Sequence, residues 1–526
     1  MKMKKYKVYG MLILVILFVS SCTDLEETLY SEIPDGEFYQ NKEQVMSAIY
    51  RPWSHFSGSM SVGSRTWILE ELSADAVAWP QKGRHGYDGG NWIRLHRHTW
   101  TDIDDSVKES WSNLYQGIGF ANKIIQDLEK LDFEALKVPM PKNQAIAELK
   151  IYRAYCYWNL MDLYGDIPIP TTITEKNPGT KTSTEVFNFI EKEILDNINN
   201  LSTDKVTTYG RASKFGAYAF LARLYLNAET YTGTTQWDKC IAVCNEIIAS
   251  NKYQIDTQWN TPFKVNNDKV SNENIWVIAY DQVYAGGMGW YQRWFHYSQQ
   301  AGWKLESGMW NALVIQPSFY DSFAATDKRK TEGMLMGPQY ERVKNPDGTY
   351  SFDTTKPLLG SEEYNGKNLV FVNNIESMEK GEENSGARSV KYEIVEGATG
   401  NQSNDWVVFR YSDILMMKAE ALMRKNNNTA TTEVINLVNS VRERAFALGD
   451  PAAKYTTSTL TPLELLAERG REFAFEGYRR TDLIRFKQFT SGTWWDKKAS
   501  DPKVKLFPIP GTQFPLNPNL KPNSAN

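Results

Sequence analysis

The sequence predicts a mainly α-helical fold in which paired helices pack against a large irregular region with short β-strands. Apolar residues recur at spacings of three and four over several long segments, which is typical of helices with one buried face. Two other stretches, 57–105 and 255–405, lack that period and are rich in Gly, Asn, Asp and aromatic residues. Hydrophobic residues make up 41% of the chain, so it can bury a large core.

Residues 1–21 have the features of a targeting signal. Four lysines precede a short apolar run over residues 11–19, and residues 19–22 (Val-Ser-Ser-Cys) match the lipobox of a bacterial lipoprotein. The apolar run is well short of the ~20 residues that a spanning helix needs. We therefore expect cleavage before Cys22 and lipid attachment to its thiol. An ordinary secretory signal with a chance cysteine is the alternative.

Removal of the signal makes the chain more acidic. The loss of four lysines and no acids takes the formal net charge from −4 to −8. An acidic body repels phosphate, so nucleic acid is not expected as a partner. Residues 22–40 are predicted to form an acidic tether and 41–526 a single body, since no Gly/Ser-rich or Pro-rich linker divides them. The other cysteines lack the pattern of a disulfide framework and are expected in the core; they are Cys156, Cys240 and Cys244.

The apolar periodicity places helices within 41–56, 106–250 and 405–490. Short connections pair them: 106–129 with 143–164, 185–200 with 211–229, and 411–425 with 432–447, while 236–250 stands alone. Such pairing is typical of a tetratricopeptide-like solenoid, although no ~34-residue self-similarity is present. Thr461 with Pro462 and Glu464 forms a helix start, and Gly477 is a plausible stop.

Tryptophan is concentrated in and beside the irregular stretches. Of 17 tryptophans, six lie within residues 53–111 and five within 276–310. A flat aromatic ring matches the C–H face of a pyranose, and neighbouring polar side chains can bond its hydroxyl groups. The strongest local pattern is residues 284–294 (Tyr-Ala-Gly-Gly-Met-Gly-Trp-Tyr-Gln-Arg-Trp), in which glycines would let large rings project from a loop.

These patterns predict a set of sugar contacts. The stacking candidates are Trp79, Trp92, Tyr284, Trp290, Trp294 and Trp303, and the polar candidates are Gln292 and Arg293. The alternative is that most of these tryptophans belong to the core, because Trp is highly buried on average. Core positions are predicted for three others, Trp111, Trp158 and Trp276, which follow helical or strand-like patterns.

No motif indicates catalysis, a cofactor or a metal. Glu468, Glu472 and Glu476 share one helix face, but arginines surround them at ion-pairing spacing (Glu468–Arg471 and Glu476–Arg480), which favours a structural network over a glycosidase pair. A zinc site built from His85, His96 and His98 would lack a fourth ligand. There is no P-loop, dinucleotide fingerprint or nucleophile elbow. We therefore expect neither an enzyme nor a cofactor and assign no metal-binding residue, although the sequence leaves a bound calcium ion open.

Several blocks in a fixed order carry a family resemblance. They include residues 111–118 (Trp-Ser-Asn-Leu-Tyr-Gln-Gly-Ile), 153–155 with 163–168 (Arg-Ala-Tyr and Leu-Tyr-Gly-Asp-Ile-Pro), 210–214 with 219–226, 410–415 with 419–421, the charged helix from 468 to 485, and 507–510 (Phe-Pro-Ile-Pro). Over almost its full length the chain resembles the SusD/RagB-like family of outer-membrane nutrient-binding lipoproteins. It departs from the family pattern at the C-terminal end, where residues 521–524 read Lys-Pro-Asn-Ser.

The resemblance implies tetratricopeptide-like helix pairs, display at the surface of the outer membrane, and capture of oligosaccharides or polysaccharides without catalysis. It also implies a SusC-like TonB-dependent transporter as the partner. Two other readings stay open: a tetratricopeptide-type assembly scaffold, and a surface glycoside hydrolase. The sequence does not define the glycan, because the aromatic contacts are not part of the family motifs.

Overall fold

The computed structural model describes residues 38–362 and 364–526, and it is mainly helical, as predicted. The signal, Cys22 and all but the last three residues of the tether lie outside these ranges. The helices are α1 (Lys42–Met60), α2 (Arg65–Leu72), α3 (Asn91–Arg97), α4 (Asp105–Lys130), α5 (Lys142–Tyr164), α6 (Ser183–Asn197), α7 (Lys214–Leu226), α8 (Ala228–Thr232), α9 (Trp237–Ala249), α10 (Asn267–Val270), α11 (Trp290–Trp294), α12 (Gln299–Gly302), α13 (Pro317–Asp321), α14 (Lys328–Thr331), α15 (Tyr411–Lys425), α16 (Thr432–Arg442), α17 (Pro462–Glu472) and α18 (Arg479–Arg485). None of these helices combines the length and apolarity needed to cross a bilayer.

The long helices pack side by side in two runs. In the first, α4 lies between α1 and α5, and α5 also packs on α6; in the second, α9 lies between α7 and α15, and α15 packs on α16. The predicted pairs 106–129 with 143–164 and 411–425 with 432–447 are thus confirmed. The predicted partnership of 185–200 with 211–229 is minor, because α6 packs mainly on α5. The buried ion pair between Arg153 and Glu193, 2.7 Å long, joins those two helices.

The start of α17 follows the predicted chemistry. Thr461 Oγ1 accepts a hydrogen bond from the backbone N–H of Glu464 (3.1 Å), and Pro462 occupies the first turn, where its missing N–H costs nothing. The helix ends at Glu472 and not near Gly477. Gly477 lies instead in the turn before α18, with φ of 82°, a left-handed conformation that glycine adopts without steric cost.

Short β-strands pair in twos, mostly within the irregular stretches. They are β1 (Val77–Ala78), β2 (Ile167–Pro168), β3 (Thr180–Lys181), β4 (Asn274–Ile278), β5 (Val314–Ile315), β6 (Met334–Leu335), β7 (Gly337–Pro338), β8 (Tyr340–Lys344), β9 (Tyr350–Pro357), β10 (Val370–Phe371), β11 (Arg388–Ser389) and β12 (Trp406–Arg410). All pair antiparallel, as β1–β5, β2–β3, β4–β12, β6–β11, β7–β10 and the hairpin β8–β9. The prediction that 57–105 is irregular is wrong in part, because α2 and α3 form there.

One large apolar core joins helices and irregular segments. Trp111, Trp158 and Trp276 are 4%, 5% and 1% exposed, which confirms their predicted core positions. The three cysteines at 156, 240 and 244 are also buried and unpaired, as expected. Because strand β4 crosses this core fully buried, the irregular region packs against the helices through apolar contacts and is not a separate lobe.

Candidate functional site

The aromatic residues of the 284–294 segment do not project from a loop as predicted. Trp290 and Trp294 are completely buried, because the short helix α11 turns both rings toward the interior. The Trp290 ring centroid lies 4.9 Å from that of Tyr392, and the Trp294 centroid lies 5.0 Å from that of Phe475. Neither indole therefore offers a face to a ligand, and their assignment as stacking residues is corrected.

Trp303 and Trp92 are also covered. Arg342 on β8 lies 4.4 Å above the ring of Trp303, and Phe352 on β9 lies 5.7 Å away, so the β8–β9 hairpin buries that indole to 4% exposure. Trp92 is 5% exposed, because the ring of Trp79 stacks on it at 4.5 Å. Trp303 and Trp92 are therefore corrected from stacking to packing residues, whereas Trp79 is only half-buried.

The remaining predicted contacts lie at the surface. Tyr284 is 91% exposed at the tip of a turn, where Asp281 accepts hydrogen bonds from the N–H groups of Val283 and Tyr284 (2.8 and 2.9 Å). These backbone hydrogen bonds lower the pKa of Asp281, so the carboxylate that shapes the turn stays charged. Gln292 and Arg293 are half-buried. The role of Tyr284, Gln292 and Arg293 in binding stays a prediction.

Trp310 is the one tryptophan in the described part of the chain that stands exposed, at 47%. The Arg293 guanidinium lies 5.0 Å from the ring centroid and covers one face of the indole, so the area open to solvent lies on its opposite face and edge. Gln292 donates from Nε2 to the carbonyl of Gly308 (3.2 Å) and so braces the loop that carries Trp310. Two predicted polar residues thus flank a tryptophan that was not predicted.

Segments linked to the loop of Trp310 carry further exposed rings. Lys82 Nζ donates to the carbonyl of Asn311 (2.5 Å), which joins the loop after Trp310 to the turn 82–85. His85, at the end of that turn, lies 6.3 Å from the ring of Tyr297. Tyr297 and Tyr87 are 38% and 53% exposed. We call Trp310, Tyr297, His85 and Tyr87 the aromatic surface.

A polar cluster around Glu383 involves the chain neighbours of Tyr297 and Trp310. His296 hydrogen-bonds to Glu383, Ser361 Oγ donates to the same carboxylate (2.5 Å), and Asn311 Nδ2 donates to the carbonyl of Glu383 (2.9 Å). Burial opposes ionisation of Glu383, but the hydrogen bonds from His296 and Ser361 outweigh it and lower the pKa to about 2. The carboxylate is therefore charged at neutral pH, and it links His296, the chain neighbour of Tyr297, to Ser361.

The aromatic surface can stack apolar ring faces and bond hydroxyl groups. Tryptophan and tyrosine give large rigid contact areas with little loss of side-chain freedom, and the arginine, histidine and glutamine groups beside them supply donors and acceptors. These residues were not predicted, because the glycine-rich segment 284–294 offered the stronger local pattern. The available signal was glycine spacing: His85 and Tyr87 alternate with glycines over 83–90, and Gly308 precedes Trp310 by two positions.

The carboxylates Glu468, Glu472 and Glu476 form the predicted structural network. Glu468 accepts from Arg471 as predicted (2.9 Å), while Glu476 pairs with Arg410 and Lys391 and not with Arg480. Arg480 instead pairs with a buried carboxylate on α5, Asp162 (2.6 Å). Burial works against the charge on Glu468, but neighbouring arginines bring its pKa down to about 2. Such a group has no proton to donate near neutral pH.

The comparisons with known proteins agree with this architecture. Residues 272–524 match the model described as the SusD family, and residues 69–226 match one described as starch-binding associating with outer membrane. The starch-binding protein SusD of Bacteroides thetaiotaomicron is 26% identical over 415 residues, 72% of each chain. SusD-like protein P2 of Formosa agariphila is 24% identical over 99% of both chains.

Solved structures share the fold. A SusD superfamily protein from Parabacteroides distasonis superposes with a TM-score of 0.70 at 21% identity, covering 92% of this chain and 98% of its own. Surface glycan-binding protein A from Bacteroides thetaiotaomicron, in complex with laminarihexaose, gives 0.69 at 16% identity, covering 92% of this chain and 100% of its own. With two family models matching successive parts of the chain and the same fold throughout, this protein belongs to the SusD/RagB-like family.

Proposed function

We propose that this chain is a non-catalytic glycan-binding lipoprotein of the outer-membrane surface that captures oligosaccharides for a SusC-like TonB-dependent transporter. The observation that carries the binding part is Trp310, a half-exposed indole whose one face is covered by Arg293 and whose loop is hydrogen-bonded to Lys82. One relative named for binding starch, and a structural neighbour in complex with laminarihexaose, support a glycan as the ligand class.

Affinity electrophoresis tests the binding. The detergent-solubilised full chain is run on native gels that contain single polysaccharides, with starch and laminarin in the panel. We expect retardation by at least one glycan, and its loss in Trp310→Ala. Phe352→Ala is the matched control, because Phe352 is similarly exposed (48%) but lies on the β8–β9 hairpin. If no glycan in the panel retards the wild-type chain, the result favours the assembly-scaffold alternative.

The absence of catalysis is supported by the charged state of the best candidate acids. Glu468 and Glu472 are buried and each contacts several arginines, so neither can act as a general acid near neutral pH. Reducing-sugar release during long incubation with a retarding glycan provides the test. Turnover that disappears in a Glu472→Gln protein still folded by circular dichroism would identify a glycosidase.

The lipid anchor is proposed from the sequence, and the transporter partner is proposed from membership of the family. The lipobox at 19–22 supports acylation of Cys22, and the family supports the transporter. Metabolic labelling with palmitate should mark the wild-type chain and not Cys22→Ala. Purification of the full chain from outer membranes should bring down a TonB-dependent transporter in stoichiometric amount, whereas recovery of the chain alone would contradict the partnership.

A further inference from the structure

The loop that carries Trp310 is hydrogen-bonded to a second segment, residues 399–401. The backbone N–H of Gly400 donates to Ser307 Oγ (2.8 Å), three positions before Trp310. A Cβ added at Gly400 would lie 2.4 Å from Gln292 Oε1, so the Gln292 amide packs directly against this glycine. The backbone N–H of Trp310 in turn donates to the Gln292 carbonyl (2.7 Å). Gln292 therefore contacts both the Trp310 loop and the segment 399–401.

The segment 399–401 also contacts the turn that presents Tyr284. A Cβ added at Gly286 would lie 2.5 Å from Cγ and from Oδ1 of Asn401, so the Asn401 amide lies directly beside this glycine. Tyr284 precedes Gly286 by two positions and is 91% exposed. A continuous series of contacts thus links the Trp310 loop, Gln292, the segment 399–401 and the Tyr284 turn.

Glycines occupy the surface along this series of contacts. Gly308, Gly400 and Gly286 are exposed or half-buried, and we call these three residues the glycine strip. Because glycine has no side chain, a ligand can approach the backbone closely at each of them. A Cβ at 400 or at 286 would overlap an amide side chain. The strip therefore runs low between two exposed aromatic residues, Trp310 at one end and Tyr284 at the other.

Two side-chain amides beside the strip have free hydrogen-bonding groups. Gln292 Nε2 donates to the carbonyl of Gly308 (3.2 Å), but its Oε1 accepts no hydrogen bond from any described residue and is open to solvent. Asn401 is exposed, and its backbone N–H donates to Thr399 Oγ1 (3.1 Å), whereas its side-chain amide has no partner in the part of the chain that the structure describes. Because an amide offers both donors and an acceptor, these groups suit the hydroxyls of a sugar.

We propose that the glycan site extends from Trp310 along the glycine strip to Tyr284, and that its ligand is therefore an extended oligosaccharide and not a single terminal sugar. One unit stacks on the open part of the Trp310 indole, an inner unit bonds the amides of Gln292 and Asn401, and a further unit stacks on Tyr284. This proposal rests on the glycan-binding function proposed above and adds the length of the ligand.

The dependence of affinity on chain length tests the proposal. Binding of maltose, maltohexaose, laminaribiose and laminarihexaose to the detergent-solubilised full chain is measured by isothermal titration calorimetry. We expect at least one hexasaccharide to bind at least about tenfold more tightly than its own disaccharide, because only the longer chain reaches both aromatic ends. Equal affinity within both series, or no binding of any of the four sugars, would overturn the extended site.

Two exposed side chains can be removed to test the far end of the site. Tyr284→Ala and Asn401→Ala should each weaken hexasaccharide binding several-fold, and the double variant should bind the hexasaccharide no better than the disaccharide. Tyr284→Phe keeps the ring and should bind like the wild type. Leu448→Ala, which removes a fully exposed side chain from another loop, is the matched control. Unchanged hexasaccharide affinity in the double variant would contradict the proposal.

Polysaccharide retardation separates failure of this proposal from failure of the proposed function. If starch or laminarin retards the wild-type chain but hexasaccharide and disaccharide bind alike, the glycan-binding function stands and the extended site is wrong. If no polysaccharide retards the wild-type chain, the proposed function fails, and the extended site fails with it. Retardation that is lost in Trp310→Ala, together with a chain-length preference that is lost in the double variant, would support both proposals.

Discussion

The indole rings of Trp79 and Trp92 stack face to face, with centroids 4.5 Å apart and planes 8° from parallel. Trp92 is the inner ring, and its Nε1 donates to Asp88 (2.5 Å). Trp79 is the outer, half-buried ring. The pair closes the segment between β1 and α3 and holds the turn that presents His85 and Tyr87.

The stack predicts that Trp92→Ala and Trp79→Ala lower the free energy of unfolding by different amounts. Trp92→Ala should reduce the free energy of unfolding by about 3–5 kcal/mol, because it leaves a buried cavity and an unpaired Asp88. Trp79→Ala should cost only about 1.5 kcal/mol, mainly through the lost stacking. Urea denaturation followed by circular dichroism measures both. Equal costs would contradict the inner and outer roles of the two rings.

Gly63 limits where Arg293 can lie. Its φ is 77°, and a Cβ added there would overlap the Arg293 guanidinium. Gly63→Ala should therefore displace Arg293 from the face of Trp310. We expect glycan affinity to fall about two- to tenfold, since an indole that is no longer held must be ordered on binding, at about 0.5–1.5 kcal/mol.

Gly58→Ala is the matched control for this effect. Gly58 lies in α1, and a Cβ there would meet nothing within 4 Å. Alanine also favours a helix over glycine by about 1 kcal/mol. Affinity electrophoresis should show the Gly58→Ala protein to be retarded like the wild type. A Gly63→Ala protein with unchanged retardation would show that Arg293 does not position Trp310.

Glu472 is the centre of the buried charge network. It accepts from Arg410 and Arg444, both at 2.7 Å, and from Arg329 at 3.0 Å. Glu472→Gln should cost about 3–5 kcal/mol of stability, because buried guanidinium groups lose their counter-charge. Asp196→Asn, which breaks the exposed pair with Lys192, should cost less than about 1 kcal/mol. Thermal unfolding of both variants checks the difference.

His96 should make the fold sensitive to acid. Its ring is 1% exposed, both nitrogens lack a partner within the described residues, and burial lowers its pKa from 6.5 to about 3. Because the unfolded chain takes up this proton at a higher pH than the folded chain, stability falls as the pH drops from 6.5 toward 3. At pH 5 this histidine should account for about 2 kcal/mol of that loss.

Replacing the histidine tests the assignment. In His96→Leu, the difference in unfolding free energy between pH 7 and pH 5 should shrink by about 2 kcal/mol. His85→Gln, a histidine replacement at an exposed position, is the control. An unchanged pH dependence in His96→Leu would mean that other groups govern acid unfolding.

The sequence predicted the helical scaffold well because its signals are local. Apolar periodicity located α4, α5, α15 and α16, and capping chemistry located the start of α17. Glu468 and Arg471 form the ion pair that their spacing predicts, whereas Glu476 and Arg480 do not pair with each other. Arg480 forms an ion pair with Asp162 instead. Asp162 is distant in sequence, and only the folded chain brings it near Arg480.

By itself the sequence determined the fold class, most of the helix pairs and the family, since each follows from residue spacing along the chain. Which tryptophans face water was decided by the tertiary structure. Exposure of a ring depends on what packs over it: Tyr392 and Phe475 cover Trp290 and Trp294, the β8–β9 hairpin covers Trp303, and Arg293 holds Trp310 with one face open. These covering groups come from distant parts of the chain, and no local pattern specifies them.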